Sequence, residues 1–87
     1  MFVIITYDVG EKRVGKVHKI LKKYLQWTQN SVFEGEIKEG KLKECLGELM
    51  PIVNKVYDSL YVYKVSNPKN IKKIIYGVEK DFEEMFL

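Results

Sequence analysis

The chain has 87 residues and one cysteine and one histidine, Cys45 and His18. That length reads as a single domain spanning residues 1–87, with a core that is marginal on its own because so short a chain buries only about 60–65% of its unfolded surface. One cysteine excludes an intramolecular disulfide, and one cysteine with one histidine excludes a zinc cluster, which suits a reducing cytoplasm. The net charge of +3 is too small by itself to require a nucleic-acid partner. The apolar N-terminal run has no basic region before it and is interrupted by Asp8, so neither a signal peptide nor a membrane span is expected.

The first element is FVIITYDV, a strand by length and β-propensity that ends on a carboxylate. Aspartate at that place can cap the following helix or mark a site. Val14, Val17, Ile20, Leu21, Tyr24 and Leu25 then recur at helical spacing opposite a row of lysines, predicting an amphipathic helix from about Lys12 to Leu25. TQNSVFEGEIK predicts two short strands with the tight turn at Glu34-Gly35. Gln29, Asn30 and Ser31 then form a polar run in the second strand, suited to edge protection or to hydrogen bonding with water or phosphate. Leu42, Cys45, Leu46, Leu49, Met50 and Val53 predict a second helix that Pro51 ends or kinks. SLYVYKV, Ser59 to Val65, is a further strand closed by Asn67-Pro68. In the tail, Ile71, Ile74, Ile75, Val78 and Phe82 fit a helix, whereas Ile74 and Tyr76 also fit a strand ended by Gly77.

The order βαββαβ is the split-βαβ, ferredoxin-like arrangement, an α+β fold with a four-stranded antiparallel sheet and helices on one face. Strand alternation sets Phe2, Ile4 and Thr6 against Val3, Ile5 and Tyr7, and Leu60 and Val62 against Tyr61, Tyr63 and Val65. Both sheet faces are therefore largely apolar while helices cover one, which predicts a homodimer covering the other.

Charge is uneven along the chain. Residues 11–24 hold Lys12, Arg13, Lys16, Lys19, Lys22 and Lys23 against Glu11, and the tail holds Glu79, Asp81, Glu83 and Glu84 against Lys80. Such a helix is a solvated face or a contact for an anionic partner. Asp8 is the candidate for metal chemistry. A single carboxylate makes a poor centre, but in a twofold dimer Asp8 would meet Asp8, and a Mg²⁺ ion between them would relieve their repulsion. His18 reads as a boundary residue and Cys45 as core, and Trp27, Phe33, Tyr57, Tyr61 and Tyr63 read as core and interface.

ITYDV, the basic helix with RVGKV, QNSVFEGEI and DSLYVYKV, taken in this order, resemble the CRISPR-associated Cas family two. The resemblance implies a ferredoxin-like homodimer in which a fifth strand, here about Lys73 to Gly77, joins the partner's sheet. It implies that Asp8 is a catalytic Mg²⁺ ligand shared across the dimer axis, with metal-dependent cleavage of single-stranded RNA or double-stranded DNA. It also implies a second role, bridging copies of the CRISPR integrase subunit and holding DNA during spacer acquisition. Arg13, Lys16, Lys19 and Ser31 become the candidate nucleic-acid contacts. Trp27 stands where many relatives carry an arginine, so no phosphate contact is assigned there.

Overall fold

The computed structural model describes residues 1–77. Its elements are β1 (Phe2–Asp8), α1 (Glu11–Tyr24), β2 (Gln26–Gln29), β3 (Val32–Glu36), α2 (Glu39–Leu49) and β4 (Ser59–Val65), followed by a short 3₁₀ turn at Pro68–Asn70. The sheet order is β2-β3-β1-β4 and all pairings are antiparallel. The ferredoxin-like expectation therefore holds, and β1 is central.

Alternation decides which side of β1 is covered. Val3, Ile5 and Tyr7 are buried, whereas Phe2, Ile4 and Thr6 are only partly covered. The buried set joins Phe33 of β3, Val17 and Leu21 of α1, and Leu42, Cys45 and Leu49 of α2 in one core. Both helices thus pack on one face. Each fully buried Ile, Leu or Phe contributes about 1.5–3 kcal/mol. Glu11 lies in the first turn of α1 and Lys22 and Lys23 in its last, the arrangement that the helix dipole favours. Lys23 and Tyr24 both reach Glu48, tying α1 to α2. The α2 helix stops at Leu49 with Pro51 just beyond it, as expected.

The turn between β2 and β3 lies elsewhere than predicted. It is Asn30-Ser31, and Glu34 and Gly35 are inside β3 opposite Ile4 and Val3. Asn30 has φ 25°, a left-handed conformation that asparagine tolerates well. Burial explains the shift: Phe33 is fully buried and pairs with Ile5, which requires β3 to run from Val32 through Glu36 along β1. Asn30 and Ser31 of the polar run are therefore a turn, while Gln29 ends β2 opposite Val32.

The other sheet face carries Ile4, Thr6, Val32, Glu34, Tyr61 and Tyr63 in register. Tyr61 and Tyr63 are 58% and 51% exposed. Residues 71–76 form no helix and pair with no strand of the described chain, which corrects the helical reading over that stretch. They flank a groove of about 940 Å³ beside Ile4, Val32 and Glu34, where the Lys73 ammonium meets Glu34 Oε1 at 2.6 Å. Val78, Phe82 and the acidic cluster lie outside the described residues, and the expected fifth strand at Lys73 to Gly77 is not formed within the described chain.

Candidate functional site

Asp8 is the last residue of the central strand, exposed and paired in the ladder with Ser59. It does not cap α1: the N-cap is Gly10, with no side-chain cap hydrogen bond. None of the ion pairs among the described residues uses it. Asp8 opens onto a shallow depression of about 500 Å³ whose other walls include Asn30, Ser31, Ser59, Tyr61 and Tyr63. Asp8 and Ser31 are thus brought together, because the amide of Tyr7 donates to the Ser31 carbonyl at 3.1 Å across the top of the sheet.

The β2–β3 turn that forms one wall is fastened from below. The Trp27 indole N–H donates to the Asn30 carbonyl at 2.9 Å, and the Tyr7 hydroxyl approaches the same oxygen at 3.5 Å. Burial pushes the Tyr7 phenol above its ordinary value, so it remains a donor. Trp27 also stands edge-on to His18, with ring centroids 4.2 Å apart, and lies near-parallel to Phe33 at 6.3 Å. Trp27 is thus a residue that packs and holds a turn. His18 is partly buried among these rings, and Cys45 is wholly buried, its thiol pushed up to about 11 first by burial. Tyr57, in contrast, is 81% exposed and belongs to no core.

The basic candidates divide into two kinds. Lys16 and Lys19 are exposed on α1 and do not line the depression. Arg13 turns inward. Its Nε and Nη2 donate to Asp58 Oδ2 and Oδ1 at 2.6 and 2.8 Å, a bidentate fork with the Asp58 side chain fully buried. The Gly10 and Asn54 amides each donate to the same carboxylate at 2.8 Å. The Arg13 hydrogen bonds hold the Asp58 carboxyl far below the usual carboxylate range, helped by the two backbone amides and opposed by desolvation. Sequence reasoning misses Asp58. Its partner is 45 positions away, and neither spacing nor periodicity links the two.

In donor chemistry the depression offers one carboxylate with hydroxyl and amide oxygens. Among the described residues no group of three or more His, Cys, Asp or Glu gathers to hold a metal. That set does not fit zinc. It fits Mg²⁺, which takes one or two carboxylates and completes its shell with water and phosphate oxygens.

Comparison with known proteins bears on the family and the fold. Residues 1–73 match the family described as CRISPR associated protein Cas2. A relative from Thermodesulfovibrio yellowstonii, named CRISPR-associated endoribonuclease Cas2 3, is 54% identical over 80 residues, covering 92% of this chain and 91% of the relative. A CRISPR-associated endoribonuclease Cas2 from Dictyoglomus turgidum is 41% identical over 87 residues and the full length of both chains. A crystal structure titled cas2 superposes with a TM-score of 0.82 at 45% identity, covering 92% of this chain and 90% of that one. Streptococcus pyogenes Cas2 superposes with a TM-score of 0.72 at 29% identity, covering 85% and 99%. The fold and a match across almost the whole described chain converge, and the chain belongs to the CRISPR-associated Cas2 family.

Proposed function

We propose that this chain is a Mg²⁺-dependent endonuclease that hydrolyses phosphodiester bonds and acts, as a homodimer, with the integrase subunit in CRISPR spacer acquisition. The observation that carries the proposal is Asp8 itself: an exposed carboxylate, unpaired among the described residues, at the end of the central strand in a depression that also holds Ser31 and Ser59. Single-stranded RNA is the first substrate to test, because the relatives named above are endoribonucleases; double-stranded DNA is the second.

The roles of the chain's residues follow from position. Asp8, one from each copy, would hold the cation, and the Ser31 and Ser59 hydroxyls would donate to phosphate oxygens. Bound there, Mg²⁺ supplies charge neutralisation at the phosphate and lowers the pKa of its water. Lys16 and Lys19 draw the nucleic-acid backbone to the protein without base recognition. The open sheet face with exposed Tyr61 and Tyr63, and the exposed Ile74 and Tyr76 beside it, supports a second copy as its cover.

A second reading is a non-catalytic DNA-binding scaffold of the integrase complex. It is favoured by the exposed row Lys12, Lys16, Lys19 and Lys22 on α1, on the helix rather than in the depression. The two readings separate in one assay: wild type and Asp8→Asn are incubated with single-stranded RNA and duplex DNA across a Mg²⁺ titration. The enzyme reading predicts cleavage by wild type and none by Asp8→Asn, with DNA binding kept in both. Cleavage that survives in rigorously purified Asp8→Asn overturns it, and DNA binding with no wild-type cleavage selects the scaffold.

A further inference from the structure

We propose that Asp58, locked by Arg13, is a positioning residue that fixes the Asp8 carboxylate for metal binding, an inference that rests on reading Asp8 as the metal ligand. Asp58 and Asp8 are joined through a closed ring of short links. Asp8 pairs with Ser59 in the β1–β4 ladder, Ser59 follows Asp58 in the chain, and Asp58 Oδ1 accepts from the Gly10 amide, two residues beyond Asp8. The backbone of Asp8 is therefore held on both sides, by the ladder and by the carboxylate that pins the turn leaving it.

Three further features make the ring stiff. Asp58 accepts four hydrogen bonds from three segments: Gly10 in the β1–α1 turn, Arg13 in the first turns of α1, and Asn54 in the loop before β4. Its side chain is fully buried, so water does not compete for those donors. The guanidinium also lies against Gly10, where a Cβ would meet Arg13 Nη2 at 2.4 Å. Arg13 cannot swing aside without leaving its fork, so that position accepts only glycine without displacing the clamp. Asp8, with no partner of its own in the described chain, has nothing else to set where its carboxylate stands. Groups that orient a metal ligand through one intermediate typically matter by about 10- to 100-fold in metal affinity.

The test measures Mn²⁺ affinity by electron paramagnetic resonance on purified full-length protein: wild type, Asp8→Asn, Asp58→Asn and Arg13→Lys, each checked as folded by circular dichroism. Asp58→Asn is expected to bind Mn²⁺ about 10-fold or more weakly, and to lose kcat for RNA cleavage while KM for RNA stays at the wild-type value. A residue that serves stability alone would lower Tm and leave Mn²⁺ affinity unchanged, and that result overturns the inference. Should Asp58→Asn fail to fold, Arg13→Lys, which keeps the charge and loses the fork, carries the test: weaker Mn²⁺ binding supports the inference and wild-type affinity overturns it. Equal Mn²⁺ binding by wild type and Asp8→Asn is a different failure. It removes the metal-ligand reading of Asp8, and this inference falls with it.

Discussion

Two aspartates near the same sheet end have opposite situations. Asp8 is exposed and unpaired among the described residues, while Asp58 is buried and accepts four hydrogen bonds. In the sequence Asp8 stands out, because it ends a long apolar run. Asp58 has no such setting, and only the fold brings Arg13 to it. Asp58 pins the β1–α1 turn through the Gly10 amide, and Asp8 takes no part in capping α1. The consequence appears in acid. The Asp58 carboxyl is depressed in the folded protein, chiefly by Arg13, so its stabilising contribution is complete above the unfolded aspartate value of about 3.9. That contribution is lost as pH falls from there toward the folded value. The Tm gap between wild type and Asp58→Asn should be constant from about pH 7 to pH 5 and should shrink below about pH 4. A gap that instead widens on acidification would contradict the fork.

Among the elements, α1 carries the strongest expectation about nucleic acid. Its inner face supplies Val17 and Leu21 to the core and its outer face keeps Lys16 and Lys19 exposed. The periodicity of lysines and apolar residues makes this helix legible in the sequence, and apolar patterning does the same for α2 and for all seven residues of β4. The β2–β3 hairpin is harder. Asn30 and Gly35 are both turn-forming residues, and the local signal does not rank them; the need to bury Phe33 beside Ile5 does. The exposed lysines of α1 lead to a test by charge reversal. Lys16→Glu with Lys19→Glu should flatten the dependence of log affinity for duplex DNA on log salt, since every phosphate that is no longer neutralised takes about 0.9 off the slope. Filter binding across a salt series measures it, and an unchanged slope would place the DNA on another surface.

For the molecule as a whole, the decisive fact is that one sheet face is packed and the other is not. Helices bury Val3, Ile5 and Tyr7, whereas Tyr61 and Tyr63 stay about half exposed and Ile74 and Tyr76 are 61% and 92% exposed. Strand alternation makes the two apolar faces readable. The tail is not readable in the same way: Ile71, Ile74 and Ile75 have helical spacing, but a helix there has no core of its own chain to face, and residues 71–76 take no helical form. An apolar stripe reports that something is to be covered, without saying whether the same chain covers it. The proposed second copy would cover this face and would also double the carboxylate count at Asp8. The most direct test of a metal site shared between two copies is therefore the stoichiometry of metal binding, measured by Mn²⁺ titration of the purified protein with its mass followed by light scattering. The expected result is a dimer that binds one ion per two chains and loses that ion in Asp8→Asn; a monomer, or one ion per chain that survives Asp8→Asn, would contradict it.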